Sequence, residues 1–353
     1  MDLNETHVNL KLNPDCRILV IRKDRIGDLV CTTPMLEALK KKYPLADVRV
    51  LTSEYNYDVL IDNPDVNKVY VYQKTKYVPG ILNRLKKILT RLKLIKELKR
   101  WNPALIVLAA APDKHGLNFA RQINSKKVLG WEVLGNSDQP DFLLRLRKDS
   151  YMHEVQFTLE LLKPLEIKNE SIPLKIFYDQ KIVTEILRAL PPAKKRIAIQ
   201  ISAKPRRRWG VENYIKLVNE ILGKYLEVQV LLFWSPGKRD HPTYPGDDED
   251  SEYLIQTVNS SRLIPIKTLR PRDLINGLQL CDLFVGNDGG AMHIACALKK
   301  PIIALFECRP EKLNRWYPWQ VQHSIIHSGD PLNPEVKNIS VDQVLEVLSS
   351  YDM

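Results

Sequence analysis

The feature that most constrains the fold is a regular alternation of short apolar runs with helix-sized segments. In the first half, the runs RILVI (17–21), VRVLT (48–52), KVYVY (68–72) and ALIVLAAA (104–111) are separated by helical patterns, and KVLGW (127–131) is a candidate for a further strand. Strands that alternate with helices predict βαβ units, in which helices cover both faces of a parallel sheet.

The alternation stops between residues 160 and 195, where prolines and charges interrupt it, and then restarts with RIAIQIS (196–202). Later strand-like runs are VQVLLFW (228–234), LIPI (263–266), DLFVGN (282–287) and PIIALF (301–306). We therefore predict an α/β protein with two Rossmann-like domains, residues 1–175 and 176–353. An alternative for the last helix, near 340–350, is that it packs back on the first domain. We also predict a helix over YNYDVLIDN (55–63) and a surface loop over HPTYPGDDEDSE (241–252).

The charge balance points to an acidic partner. The 353 residues carry a formal net charge of +11, and the stretch 74–100 is rich in Lys and Arg but has one acid, Glu97. Nucleic acid, an anionic membrane and a phosphorylated substrate all fit such a balance. No apolar run reaches the roughly 18 to 20 residues needed to span a bilayer. The acidic, polar start MDLNETHVNLKLNPD differs from a signal peptide, so we expect a cytoplasmic protein with reduced, packed cysteines.

The segment GILNRLKKILTRLKLIKELKRW (80–101) predicts one long amphipathic helix. Its apolar residues recur at helical spacing, and basic residues occupy the remaining surface, among them Arg84, Lys87 and Arg91. Two interpretations are open. Either the apolar face packs into the core and the basic face is solvated, or the helix contacts an anionic membrane or an acidic acceptor.

Two turns hold the candidate chemistry. RKDRIGDLVCTTP (22–34) follows the first strand and places Asp28 at a helix start, where it is either a helix cap or a general base. GNDGGAMHIACALKKPIIALF (286–306) leads from a strand through glycines into a helix of small residues, a geometry that receives phosphates. There Asp288 is either a cap or a ligand-binding residue, and His293 is either half-buried or part of the site.

These two stretches, with SAKPRRRWGVENYIKLVNEI (202–221), resemble the motifs of glycosyltransferase family 9, the heptosyltransferase family. The resemblance implies a GT-B fold, with an acceptor domain, a nucleotide-sugar domain and a central cleft that they face. It also implies an inverting transfer without a metal or a cofactor other than the donor, which we expect to be ADP-heptose. Gly289 stands where the family has threonine, and Arg207 where it commonly has lysine.

The resemblance assigns roles residue by residue. It implies that Asp28 is the catalytic base and that Arg25, Gly27 and Thr32 contact the acceptor. For the donor and its diphosphate, it implies Ser202, Lys204, Arg207, Asp288, Gly289, Gly290 and His293. Arg84, Lys87 and Arg91 are the expected contacts to the membrane or the acidic acceptor.

The function expected from this resemblance is transfer of heptose to a lipopolysaccharide-core or related surface-glycan acceptor at the inner face of the bacterial inner membrane. The expected partners are a nucleotide sugar, an acidic or phosphorylated glycolipid and the anionic membrane surface, but no nucleic acid. One alternative is the same scaffold with another nucleotide sugar. A second is a basic nucleic-acid- or partner-binding protein on a transferase-like fold, although nucleic-acid-binding motifs are missing from the sequence.

Overall fold

The computed structural model describes residues 10–73, 80–111, 114–123, 125, 127–132, 142–144, 152–168, 170–241 and 245–352. Residues 1–9, on which part of the expectation about the N-terminus rests, lie outside this set, as do residues 74–79 of the basic stretch. The chain divides into two compact units, Met1–Leu174 and Lys175–Met353.

The first unit contains a parallel sheet of six strands in the order β3-β2-β1-β4-β5-β6. Its strands are β1 (Arg17–Ile21), β2 (Asp47–Ser53), β3 (Lys68–Tyr72), β4 (Leu105–Leu108), β5 (Val128–Trp131) and β6 (Phe142–Leu144). Its helices are α1 (Ile26–Val30), α2 (Thr33–Lys42), α3 (Ile81–Trp101), α4 (Lys114–Ile123) and α5 (Glu154–Glu160). The apolar run of β1 is buried from Ile18 to Ile21, as expected for a strand with helices on both faces.

The second unit repeats this plan with the strand order β12-β11-β10-β7-β8-β9. Its strands are β7 (Lys195–Gln200), β8 (Val228–Phe233), β9 (Leu263–Pro265), β10 (Leu283–Asn287), β11 (Ile302–Leu305) and β12 (His323–Ile326). Its helices are α6 (Gln180–Ala189), α7 (Val211–Lys224), α8 (Asp248–Val258), α9 (Pro271–Gln279), α10 (Gly290–Ala297), α11 (Pro310–Trp316) and α12 (Val341–Leu348). The last helix, α12, packs against α7, β11 and β12 of its own unit.

Each sheet has a point at which the strand order reverses. In the first unit it lies between β1 and β4, and in the second between β7 and β10. Ligands of open α/β sheets bind outside the carboxyl ends of the strands at such points. Both candidate turns therefore stand where the topology opens a crevice, since one follows β1 and the other follows β10.

Two local predictions are wrong. Residues 55–63 form only a short 3₁₀ turn, Tyr57–Leu60, because Asp62 adopts a left-handed φ of 63° and Pro64 restricts the residue before it. The segment 241–252 is not a loop throughout, because α8 begins at Asp248. The acidic side chains of its first turn interact favourably with the positive end of the helix dipole, so this acidic run starts a helix.

Helix α3 begins one residue after the predicted start and ends at the predicted residue, but its apolar face is largely uncovered. Leu98 is its buried residue, whereas six large apolar side chains of its first half are exposed: Ile81, Leu82, Leu85, Ile88, Leu89 and Leu92. Of the two interpretations left open for this segment, the core-packed one is therefore wrong for this half of α3. Within the described part of the chain, none of the helices combines the length and apolar character that crossing a bilayer requires.

Candidate active site

The first turn places Asp28 at the switch point of the first sheet. Its carboxylate accepts two hydrogen bonds: Oδ1 from Arg22 Nη2 at 3.0 Å and Oδ2 from the backbone N–H of Arg25 at 3.0 Å. The second bond belongs to a capping box at the start of α1, in which Arg25 is the N-cap residue and Asp28, the third residue of the helix, accepts the bond from its backbone N–H. Each carboxylate oxygen has two acceptor sites, so a cap of this kind leaves Asp28 able to accept a further proton.

Arg22, directly after β1, organises this turn and was not among the predicted site residues. Its guanidinium also contacts Glu154 Oε1 at 2.6 Å, Asp24 Oδ2 at 3.2 Å and the carbonyl oxygen of Ala109. Burial disfavours the charged form of Arg22, but the charges of Glu154, Asp28 and Asp24 outweigh it and raise the pKa of Arg22. The arginine is therefore a permanent cation within a group of three carboxylates.

A polar cavity of about 730 Å³ opens beside Asp28. Its nitrogen-bearing lining side chains include Lys23, Arg25, Arg91 and His115, and its aromatic ones are Tyr72 and Phe119. The two rings meet edge to face at 5.8 Å, and the Lys23 ammonium lies 4.6 Å from the centre of the Tyr72 ring. The cavity thus joins a carboxylate, a group of cations and an aromatic wall.

A second carboxylate, Asp24, lines the same cavity. Burial raises the pKa of the Asp24 carboxyl above its ordinary value, and this effect outweighs the opposing charge of Arg22. Asp24 therefore takes up a proton at a higher pH than an ordinary aspartate, which makes it the less suitable of the two as a permanently ionised base.

The three residues predicted to contact the acceptor have different surroundings. Arg25 is exposed and lines the cavity, whereas Gly27 and Thr32 are buried. The Thr32 hydroxyl donates to the carbonyl oxygen of Asp28 at 2.8 Å. A side chain without exposed surface cannot touch a ligand in this conformation, so Thr32 supports the turn from behind.

The basic residues of α3 also have different surroundings. Arg91 lines the Asp28 cavity, with its guanidinium carbon 5.4 Å from the centre of the Tyr72 ring. Lys87 forms an ion pair with Glu54 at 3.2 Å, and Arg84 lies on the exposed first half of the helix. One helix therefore presents a cation to the cavity and an uncovered apolar face to the outside.

The second turn joins β10 to α10 at the switch point of the second sheet. Asp288 is buried, and its Oδ2 accepts a hydrogen bond from Arg207 Nη1 at 2.7 Å. The same nitrogen donates to the Asp288 carbonyl oxygen at 2.6 Å. Arg207 belongs to a short 3₁₀ turn, Pro205–Arg207, that follows β7, so the switch point brings these two predicted site residues together.

Gly289 is the N-cap residue of α10, and none of the described side chains caps this helix. Its φ of 174° is extended backbone that any residue adopts, and an added Cβ would have its nearest neighbour, the Asn287 carbonyl oxygen, at 3.8 Å. The turn therefore has room for the threonine of the family motif. Gly290 begins the helix, where the first amide groups are directed at an approaching anion.

The other predicted donor residues differ in how exposed they are. His293 is buried in α10, and its ring meets Trp316 edge to face at 5.8 Å. Ser202 Oγ accepts a hydrogen bond from the Ser235 backbone N–H at 2.7 Å, which joins the ends of β7 and β8. Lys204 is exposed on the loop before Arg207.

Behind the second turn lies a hydrogen-bond network that no sequence pattern predicts. Asn287 Nδ2 donates to the Tyr214 hydroxyl at 2.8 Å, and that hydroxyl donates to the Gln200 carbonyl oxygen at 3.2 Å. Burial raises the pKa of Tyr214, so the phenol stays neutral and can donate. The network links β7, α7 and β10 and fixes the residue before Asp288.

Across the described residues, no group of three or more His, Cys, Asp or Glu side chains is arranged to hold a metal ion. All five cysteines are buried.

Solved structures with the same architecture identify the fold. A glycosyltransferase family 9 protein from Veillonella parvula superposes with a TM-score of 0.77 at 19% identity, covering 95% of this chain and 96% of that one. The Escherichia coli ADP-heptose lipopolysaccharide heptosyltransferase II superposes with a TM-score of 0.75 at 17% identity, covering 95% of this chain and 98% of that one. The fold is GT-B, so the predicted α/β class with two Rossmann-like domains is confirmed.

The sequence then gives the family. The family described as glycosyltransferase family 9 (heptosyltransferase) matches residues 104–344. Lipopolysaccharide heptosyltransferase 3 of Escherichia coli K12 is 24% identical over 304 residues, which cover 83% of this chain and 82% of that protein. The chain belongs to glycosyltransferase family 9, and it is an enzyme of the heptosyltransferase type. The predicted family and enzyme class are confirmed.

Proposed function

We propose that this protein is an inverting transferase that moves heptose from ADP-heptose to a hydroxyl group of a lipopolysaccharide-core or related surface-glycan acceptor. The observation that supports it most is the Asp28 carboxylate, held at both oxygens beside a cationic cavity at a sheet switch point. Family membership supports the reaction class. The similar E. coli structure is described as an ADP-heptose heptosyltransferase, which supports the donor.

In the proposed reaction, Asp28 is the general base. It accepts the proton of the acceptor hydroxyl while the hydroxyl oxygen bonds to the anomeric carbon of the donor sugar. The bond between that carbon and the diphosphate oxygen breaks in the same displacement, so ADP leaves and the configuration inverts. This scheme needs no cofactor and no metal.

The donor is proposed to bind at the turn between β10 and α10. The backbone amides at Gly289 and Gly290, with Arg207, stabilise the negative charge that grows on the leaving diphosphate. Arginine binds phosphate oxygens in a bidentate fork, and Lys204 adds a second cation. In the present structure Arg207 is paired with Asp288, so the donor exchanges this ion pair for contacts of Arg207 with diphosphate and of Asp288 with sugar hydroxyls. Ser202 and the buried His293 support this turn.

The acceptor is proposed to bind in the Asp28 cavity and to be acidic or phosphorylated. Arg25, Lys23 and Arg91 give this cavity the positive charge that suits carboxylate or phosphate groups, and His115 adds a ring nitrogen to its lining. Sugar rings pack well on aromatic surfaces, and Tyr72 with Phe119 offers one. Gly27 and Thr32 shape the turn from inside.

The exposed first half of α3 is proposed to lie on the anionic inner face of the bacterial inner membrane. Its six apolar side chains are uncovered, and Arg84 stands beside them on a stretch where acids are almost missing. An amphipathic helix with basic flanks binds anionic lipid surfaces in this way. Because Arg91 of the same helix lines the cavity, the acceptor's lipid would remain in the bilayer while its sugar enters the cavity.

A second candidate is the same reaction with another nucleotide sugar. The observation in its favour is Gly289, which lacks the hydroxyl group of the threonine in the family motif. Nucleic-acid binding receives no support from the family membership, which places the chain among glycosyltransferases.

The experiment that tests the proposed donor is a thermal-shift screen of ADP-, GDP- and UDP-sugars, followed by NMR of the product. A ligand at about a hundred times its Kd stabilises the folded state by about 2.7 kcal/mol. We expect this shift with ADP-heptose and a product anomer opposite to that of the donor. Stabilisation by GDP- or UDP-sugars alone would favour the second candidate, and a retained anomeric configuration would contradict the proposed displacement.

A further inference from the structure

The group of charges behind Asp28 contains one cation shared between two carboxylates. Arg22 Nη2 donates to Asp28 Oδ1 at 3.0 Å and to Glu154 Oε1 at 2.6 Å. Glu154 is fully buried and stands 132 residues further along the chain, at the start of α5. Asp28, by contrast, has 16% of its side chain exposed and borders the cavity. The guanidinium thus connects a carboxylate that no ligand can reach with one that a ligand can reach.

We propose that Arg22, held by Glu154, is a positioning residue that fixes the orientation and the charge of the Asp28 carboxylate for proton abstraction. This inference rests on the proposed role of Asp28 as base. Arg22 is anchored at its other nitrogen by the Ala109 carbonyl oxygen, directly after β4, so three elements besides α1 determine where its charge lies.

A purely structural ion pair explains these contacts less well. A buried ion pair is seldom a net gain in stability, because the desolvation of both charges offsets their attraction. A stabilising pair would also need only one carboxylate, whereas Arg22 contacts three. Glu154 also offsets part of the positive charge that Arg22 presents to Asp28, because both carboxylates contact the same nitrogen.

Other titratable groups also surround Asp28 and contribute to the pH dependence of the site. Asp24 lies on the same turn, and the cavity adds Lys23, Arg25, Arg91 from α3 and His115 from α4. These groups remain in place in the variants below. A change in pH dependence can then be attributed to Arg22 or Glu154.

The two members of the pair have opposite effects on Asp28. Glu154→Gln removes a negative charge and leaves the whole charge of Arg22 to act on Asp28, which favours its ionised form. Arg22→Met removes the cation and leaves Asp28 beside the carboxylates of Glu154 and Asp24, which disfavours its ionised form. The acid limb of the pH–rate profile therefore moves to lower pH in Glu154→Gln and to higher pH in Arg22→Met, by about one pH unit each.

The experiment measures kcat and KM against pH for heptose transfer by the wild type, Glu154→Gln, Arg22→Met and Arg262→Met. Arg262 is the matched control, since it is a structural arginine bonded to the carbonyl oxygens of Leu222, Tyr225, Leu226 and Val228 in the second unit. We expect opposite movements of the acid limb in the first two variants, no movement in Arg262→Met, and a lower kcat in Arg22→Met at an unchanged KM for ADP-heptose.

Equal or absent movements in the two variants would overturn the inference, and so would the same movement in Arg262→Met. If Arg22→Met does not fold, the isosteric Glu154→Gln still decides by the direction of its movement. If the wild type transfers no heptose, the proposed function fails separately. The pair is then tested by carbon NMR titration of labelled aspartates, with Asp28→Asn identifying the signal, and the same opposite movements are expected.

Discussion

Removing the exposed apolar side chains of α3 should release the protein from anionic membranes. The triple variant Ile81→Gln, Leu82→Gln, Leu89→Gln replaces side chains that are 78%, 76% and 57% exposed. Their combined exposed surface is roughly that of two fully exposed side chains. Fully burying one such side chain contributes about 1.5–3 kcal/mol. At the lower figure, immersion in the bilayer interface contributes about 3 kcal/mol, so the variant should bind about a hundredfold more weakly.

The assay is sedimentation with phosphatidylglycerol-containing vesicles at low salt, with the folded state checked by thermal unfolding. These side chains contact little in the folded protein, so the free energy of unfolding should change by less than about 0.5 kcal/mol per substitution. The matched control is Leu226→Gln, Leu269→Gln, Leu332→Gln, which replaces equally exposed leucines of the second unit and should bind as the wild type does.

The charge contribution is measured separately. Arg84→Gln with Lys87→Gln should weaken binding by up to about 1 kcal/mol per removed charge, and this loss should shrink as salt is raised. Arg91 is left intact because it lines the Asp28 cavity. If the apolar triple variant sediments with vesicles as well as its control does, α3 is not the membrane contact and the reasoning is refuted.

Two further predictions concern the donor turn. Gly289→Thr should be accommodated, because the backbone is extended and an added Cβ meets nothing closer than 3.8 Å, and the free energy of unfolding should rise by about 0.5 kcal/mol through loss of glycine's freedom in the unfolded chain. Calorimetry should show tighter ADP-heptose binding if the added hydroxyl reaches the phosphate. A lower free energy of unfolding in Gly289→Thr would contradict the open geometry of the turn. Arg207→Ala should weaken ADP binding at least about tenfold, whereas the exposed neighbour Arg206→Ala should change it little; equal effects would count against a directed phosphate contact.

Sequence patterns predict the strands and helices whose local signals are strong. The strands β1 and β3 have the bounds of the runs RILVI and KVYVY, because a buried parallel strand reads as a continuous apolar run between turns. Helix α3 was predictable from its periodicity. The start of α8 was missed because its acidic residues stabilise a helix N-terminus as readily as they solvate a loop.

What the sequence could not give is contact between distant segments. It located the turns that hold Asp28 and Asp288, since each follows an apolar strand. It could not show that Glu154 reaches Arg22 across 132 positions, or that Arg207 pairs with Asp288. It also left open whether the apolar face of α3 is covered, because periodicity indicates which residues share a face and not what packs on it.

The most direct test of the central claim compares heptose transfer by the wild type and by Asp28→Asn, with ADP-heptose affinity measured in parallel. The amide keeps the shape of the carboxylate but cannot take a proton, so kcat should fall by about 10²–10⁴-fold at an unchanged Kd for the donor. The matched control is Asp47→Asn, a carboxylate paired with Arg49 at the opposite end of the strands, which should transfer heptose at the wild-type rate. Transfer by Asp28→Asn within a few-fold of the wild type would contradict the assignment of Asp28 as the base.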